Sequence, residues 1–223
     1  MASDGSGCIL ITLKLNTLYI FHILPKMNLR IFSLSTLADD NLILCWGETG
    51  TLLDNILWAK NHIPKKLVFS ESNPYVSETL SDLLKTQWEN RVHLSKNNSA
   101  YRTIVVFNKC FEGNMWTVDR ILRILPMGNR SHGIMGIFVF SEVWMIAPLY
   151  RHAMDYIFIS HVPSKVDRRR IYEQFSNVFP TLDVFCQLMD NYTTTGGCLV
   201  IHNGAMSSQF EDRVFYLAKE RHT

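Results

Sequence analysis

The feature that most limits how this chain can fold is a short, unbroken apolar run that recurs along it: Leu42–Trp46 (LILCW), Thr103–Phe107 (TIVVF), Ile134–Phe140 (IMGIFVF) and Tyr156–Ser160 (YIFIS). Such runs are too short for ordinary helices, and a strand with one wet face would alternate with polar residues. They read as strands buried on both faces, the pattern of a parallel sheet covered by helices. Leu67–Ser70 and Leu199–His202 add shorter strands, the second closing the series ahead of an Asn203-Gly204 turn signal. Between the runs lie stretches with helical spacing. Leu52–Asn61 places Leu52/Ile56 and Leu53/Leu57 one turn apart; Tyr75–Glu89, Trp116–Leu125, Lys165–Val178 and Thr181–Asn191 follow, the last two split by Pro180. Strands alternating with helices need crossover connections. The expected class is therefore α/β, with a mostly parallel central sheet flanked by helices.

The chain has 223 residues, 47% of them apolar and 19% charged, enough to bury a substantial core in one domain. The net charge of +2 makes no global demand for a polyanionic partner, so a nucleic-acid surface would be a local patch. The five cysteines (Cys8, Cys45, Cys110, Cys186, Cys198) show no C-x-x-C spacing and sit mostly in apolar stretches, as buried free thiols do. The eight histidines form no H-x-x-x-H pair, so no metal site is expected. Residues 1–26 read as an apolar extension, a buried strand or hairpin or a segment outside the core. Its run from Cys8 to Pro25 is broken by Lys14, Asn16 and His22, which argues against a membrane span, and it lacks the basic start of a secretory signal. Residues 27–223 are read as the folded domain.

In a parallel α/β sheet, ligands sit at the carboxyl ends of strands. The first such end here is Gly47-Glu48-Thr49-Gly50-Thr51, between the LILCW strand and a helix. That is where a phosphate-binding loop, G-x-x-x-x-G-K-[ST], would stand. Its backbone N–H groups wrap the phosphates, its Lys reaches the terminal ones, and its hydroxyl binds Mg²⁺. By itself, G-x-x-G before a helix equally describes a tight structural turn.

Several blocks are similar to the DNA-packaging ATPases of poxviruses and giant viruses, members of the FtsK–HerA group of P-loop NTPases. FSLSTLADDNLILCWG (Phe32–Gly47) resembles the strand leading into their phosphate loop, and LLDNILWAKNHIPKKLVFS (Leu52–Ser70) the helix and strand that follow. APLYRHAMDYIFIS (Ala147–Ser160) resembles their P-x-x-R-x-x-x-D-Y-[IV]-F segment. Arg168–Asp190, CLVIHN and FEDRVFYLAK resemble their C-terminal third. The likeness is collinear from about residue 30 to the end. It implies a three-layer P-loop NTPase-like fold, and ATP with Mg²⁺ as cofactors wherever the family activity survives.

The departures fall on the positions that carry this chemistry. The loop lacks about four residues of the motif, including Gly-Lys-Ser/Thr. The TIVVF strand runs into Asn108-Lys109 where the family has an acidic pair that holds Mg²⁺ and activates water. Asn108 is neutral, and Lys109 puts a cation where a base belongs. Ser141 stands at the family's polar sensor. Arg151 matches a candidate arginine finger acting on a neighbouring subunit's phosphate. The resemblance thus implies a catalytically impaired homologue needing no cofactor, a binding or structural subunit in packaging or virion assembly. Its implied partners are a homo- or hetero-oligomeric ring with an active packaging ATPase, capsid components and double-stranded DNA, with no membrane; its implied place is the host cytoplasm (viral factory) or the virion. The alternative is a weak ATPase with an atypical loop. The densest basic run, Lys165, Arg168, Arg169 and Arg170, is the candidate DNA surface, where each neutralised phosphate adds salt-dependent affinity.

Overall fold

Every residue of the LILCW run is buried, and the rest of the fold is arranged around it. The computed structural model describes residues 28–47, 50–63, 65–70, 82, 85–86, 89, 102–109, 133–140 and 148–219. Among these, eight strands form one sheet: β1 (Arg30–Ile31), β2 (Leu42–Trp46), β3 (Lys65–Ser70), β4 (Thr103–Asn108), β5 (Ile134–Phe140), β6 (Tyr156–Ile159), β7 (Cys198–His202) and β8 (Val214–Leu217). The helices are α1 (Gly50–Ala59), α2 (Pro148–Ala153), α3 (Lys165–Gln174), α4 (Leu182–Thr193) and α5 (Phe210–Arg213). Strand order is β1-β8-β7-β6-β2-β5-β4-β3. The block from β3 to β6 is parallel, as expected from its apolar runs, whereas β7 runs antiparallel to both β6 and β8. The fold is α/β, with a mostly parallel sheet between two helical layers.

The pleat sends alternate residues to opposite faces, and both faces are covered. Leu42, Leu44 and Trp46 join Phe107, Phe138, Ile157 and Leu199 under α3 and α4, which contribute Ile171, Phe185 and Met189. Ile43 and Cys45 join Val106, Ile137, Phe158 and Val200 on the other face, under Leu52 and Ile56 of α1 and the short turn Leu34–Thr36. Rings of Phe69, Phe107 and Phe138 stack across β3, β4 and β5 at centroid separations of 5.7 and 5.0 Å. Each such side chain stabilises the fold by about 1.5–3 kcal/mol relative to exposure. Cys45 and Cys198 are buried free thiols, and burial pushes the Cys198 thiol up to about 12, which makes it unreactive. Cys8 and Cys110 lie outside the described residues.

Several boundaries differ from the sequence expectation. Leu199–His202 is not the last strand, because the half-buried Val214–Leu217 adds β8 beyond it; that segment is short and mixed in polarity, so its sequence carries no clear strand period. The helix expected over Lys165–Val178 ends at Gln174, where Phe175 leaves helical geometry (φ −126°, ψ 30°) and turns its ring into the core. The helix after Pro180 starts one residue late, with Thr181 as its cap accepting from the Val184 N–H at 3.2 Å. Of Tyr75–Glu89, the residues described (Asp82, Lys85, Thr86, Glu89) are helical; Trp116–Leu125 and the extension 1–26 lie outside the described residues.

One polar cluster ties the amino end of the sheet to α1. Lys60, just after α1, is almost fully buried; its Nζ donates to the Leu37 carbonyl and pairs with Asp39 at 3.0 Å. His62 Nε2 lies 3.0 Å from the other Asp39 oxygen, to which Arg102 also donates. Burial pushes the Asp39 carboxyl upward, but the hydrogen bonds and charges of His62 and Lys60 outweigh it, leaving the pKa below the ordinary 3.8. A carboxyl with a lowered folded pKa adds stability that is complete above its unfolded value and is lost as pH falls through the folded one. Asp39→Asn should therefore cost about 3 kcal/mol at neutral pH, since it strands buried Lys60 without its counter-charge. The gap between wild type and variant should narrow below pH 3.8 as the native carboxyl protonates. Urea unfolding of both proteins at pH 7 and pH 3 measures this, and a gap independent of pH would rule it out.

Candidate functional site

The sheet register assembles the site. Cys45 of β2 and Asn108 of β4 both align with Val139 of β5, so the three share one row across the sheet. In the next row Trp46 faces Phe140, with Gly47 following β2 and Lys109 following β4. With strands roughly 4.8 Å apart, the end of β4 lies about 10 Å from the end of β2. Alternation along β4, with Val106 on the α1 face and Phe107 on the other, directs Asn108 to the α1 face. The positions that sequence reasoning singled out separately are thus neighbours at the carboxyl end of the sheet. β2 is also where connections diverge: its own chain leaves toward β3, while β5 crosses over it to reach β6. Crevices for ligands form at such switch points.

The loop itself is tighter than the sequence reading allowed. Gly50 and Thr51, read as loop, form the first turn of α1, so two residues separate Gly47 from the helix. Gly47 has φ +94° and donates to the Phe140 carbonyl at 2.9 Å; a Cβ there would meet Ser160 at 3.2 Å. A left-handed backbone pressed against a neighbouring strand needs glycine. Lys109 is also left-handed, at φ +55°, and exposed, with its N–H bonded to the Val139 carbonyl at 3.0 Å. Glu48, Thr49 and Ser141 lie outside the described residues.

Beside Gly47, on the β6 side, opens a cleft of about 800 Å³. Gly47 and Asn55 form one wall; Ser160 and Ser164, Thr193, Arg170 and Lys219 form the others. Arg170 is paired with Asp167 at 3.1 Å, and Lys219 lies across Gly196, whose backbone (φ +90°) leaves room for it. Sequence reasoning missed Ser160, Thr193 and Lys219 here. No spacing betrays them, since they come from three separate strand and helix ends.

No family model matches the chain. It is 24% identical over 157 residues to an uncharacterized protein of Invertebrate iridescent virus 3, covering 70% of this chain and 58% of that one. It is 24% identical over 121 residues to an uncharacterized protein of Acanthamoeba polyphaga mimivirus, covering 53% and 42%. The chain thus spans about half the length of the curated relatives it matches. Among solved structures it superposes on the genome packaging NTPase B204 of Sulfolobus turreted icosahedral virus 2. For the complex with AMP the TM-score is 0.53 at 11% identity, covering 83% of this chain and all of the other. For the complex with AMPPCP the values are 0.52, 12%, 82% and 100%. The chain has the fold of a viral genome-packaging NTPase.

Asn108 is neutral, Lys109 is a cation, and the path from Gly47 to Leu52 contains no lysine. Among the described residues no group of three or more His, Cys, Asp or Glu side chains is placed to hold a metal. Arg151 lies on α2, ahead of β6. Asp155 fixes that end: its N–H donates to the Leu42 carbonyl and its Oδ2 accepts from the Leu42 N–H, both at 2.8 Å. Arg151 is thereby the length of β2, about 17 Å, from Gly47 in the same chain. Arg151 donates to the Gln174 carbonyl and lies over the Phe175 ring at 5.9 Å, and burial draws its pKa below the ordinary value.

The basic run on α3 divides by helix face. Lys165 and Arg169, one turn apart, are exposed, and Arg170 faces the cleft. Arg168 departs from the expected DNA-facing role. It is 7% exposed, with Nε donating to the Val162 carbonyl at 2.6 Å and Nη2 paired with Asp190 at 2.7 Å. The Asp190 hydrogen bond raises its pKa against the effect of burial. Arg168 therefore locks α3 to α4. Arg168→Ala should lose about 2–3 kcal/mol of stability, leaving the Val162 carbonyl without its partner, while Arg169→Ala should change it by less than about 0.5. Chemical denaturation of the two variants compares them directly; equal losses would contradict this division of the helix.

Proposed function

We propose that this chain is a catalytically impaired homologue of a viral genome-packaging ATPase, acting as a binding or structural subunit in packaging or virion assembly. The observation that carries the reading is the row formed by Cys45, Val139 and Asn108, with Lys109 following directly on β4. Where the fold brings the end of β4 to the end of β2, the chain offers Asn108 and Lys109 instead of carboxylates. Phosphoryl transfer rests on charges that position and stabilise the phosphates, and each such group is worth orders of magnitude in rate. Here the loop lysine, the metal hydroxyl and both acids are missing from the motif positions. The tight Gly47 turn supports the same reading, since two residues before α1 leave little backbone to wrap a phosphate.

On this reading the subunit joins a ring with an active packaging ATPase, to which it can offer Arg151 in trans, as the 17 Å separation from its own Gly47 requires. Lys165 and Arg169, and Arg170 beside them, form the candidate surface for double-stranded DNA, and capsid components are further partners. The viral factory of the host cytoplasm, or the virion, is where such a subunit would work. One observation favours the alternative, a weak nucleotide binder: the 800 Å³ cleft next to Gly47 carries both Arg170 and Lys219.

Calorimetry of ATP with Mg²⁺ at low salt, on the full chain, separates the two readings. The expected result, up to millimolar ATP, is no binding heat that Lys219→Ala removes and no phosphate release. Micromolar binding that Lys219→Ala abolishes would overturn the proposal in favour of the cleft-based alternative.

A further inference from the structure

At the end of the sheet opposite Gly47, a second crevice of about 560 Å³ opens between α2, the turn after α3 and α5. Two arginines line it, Arg151 from α2 and Arg213 from α5. They arrive from positions far apart in sequence, yet both hang from the same turn. Arg151 donates to the Gln174 carbonyl and Arg213 to the Asn177 carbonyl at 3.3 Å, three residues further along. Neither forms an ion pair among the described residues, although the neighbouring Arg30, Arg168 and Arg170 each have a carboxylate partner. In both side chains Nε is buried and has no hydrogen-bond partner among the described residues.

This is an unusual expense. A guanidinium carries five N–H donors, and burying one without an acceptor costs on the order of 1–3 kcal/mol. Here it happens twice in one crevice. The hydrogen bonds of both guanidiniums go to main-chain carbonyls, and among the described residues neither has a carboxylate in ion-pair contact. The lining's one carboxylate, Glu173, is exposed and pairs with neither. The charge of Arg213 reaches the neighbouring His202, where it adds to burial in lowering the imidazole pKa, against the pull of Asp155. Both guanidiniums line the one crevice, and the planar N–H fork of an arginine is suited to the oxygens of a tetrahedral oxyanion. Ser176 and Ser208 add hydroxyls at the rim of the same crevice.

We infer that Arg151 and Arg213 form an oxyanion site for a phosphate group, separate from the Gly47 cleft. The inference goes beyond the proposed function and does not need ATP to bind at Gly47. The chemistry of capture is the same for a free phosphate and for one at the end of a nucleotide.

The test uses the full chain at low salt, titrated calorimetrically with inorganic phosphate and, separately, with AMP. The wild type should bind phosphate in the millimolar range or tighter. Arg213→Gln should weaken it about tenfold or more, and Arg213→Lys, which keeps the charge but loses the fork, should recover only part. Lys219→Ala, in the other cleft, should leave it unchanged. AMP binding that is tighter than phosphate and equally sensitive to Arg213→Gln identifies a nucleotide as the source; equal affinities identify free phosphate. If Arg213→Gln fails to fold, phenylglyoxal labelling of the wild type replaces it. Phosphate should then protect Arg213 but not exposed Arg169. No phosphate binding, binding indifferent to Arg213, or loss with Lys219→Ala instead would each overturn the site. None of these results alters the ATP measurement, so the two readings fail separately.

Discussion

The structure depends on β2 being hydrogen-bonded along both edges while its side chains are buried on both faces. LILCW pairs in parallel with β5 on one side and β6 on the other, which fixes the register of three strands at once. Because parallel neighbours start and end together, the carboxyl ends of β2, β4 and β5 lie level, and whatever follows each strand meets in one row. That alignment creates the site at Gly47. At the amino end the same strand is held by the two Asp155–Leu42 hydrogen bonds, which place α2 and Arg151 a full strand length away.

The chain thus has two ends with different chemistry. The carboxyl end keeps the shape of a phosphate site, with a left-handed glycine, a helix starting two residues later and a cleft of useful size. On the proposed reading it lacks the charges that such a shape serves in an active motor. The amino end holds the guanidiniums of Arg151 and Arg213, without an ion pair among the described residues, while the Asp39 cluster shows a paired arrangement in the same molecule, with Lys60, His62 and Arg102 gathered on one carboxylate. Buried charges are tolerated when each finds its counter-charge, and the contrast is what sets the second crevice apart.

Much of the strand framework was legible because burial on both faces leaves an unambiguous record. A strand covered by helices must be apolar throughout, and Ile134–Phe140 and Leu42–Trp46 were read to the residue. Elements with mixed surroundings were not. Val214–Leu217 lies near the sheet's edge, half-buried, and Phe175 leaves its helix to fill space beside Trp46, at 5.7 Å between rings, a packing decision with no local signature.

The sequence by itself determined that the chain forms a mostly parallel α/β sheet with Gly47 and Asn108 at strand ends, because apolar periodicity is a local property. Only the tertiary structure decided which cations are free to act. Lys165, Arg168, Arg169 and Arg170 read as one basic run, yet helix geometry turns Arg168 inward to Asp190 and Arg170 toward the cleft. Arg151 and Arg213 are 62 residues apart by their numbers and become a pair only because β6, β7 and the turn after α3 converge. Electrostatic partnership depends on distances across the fold, and those are set by packing that no single segment records.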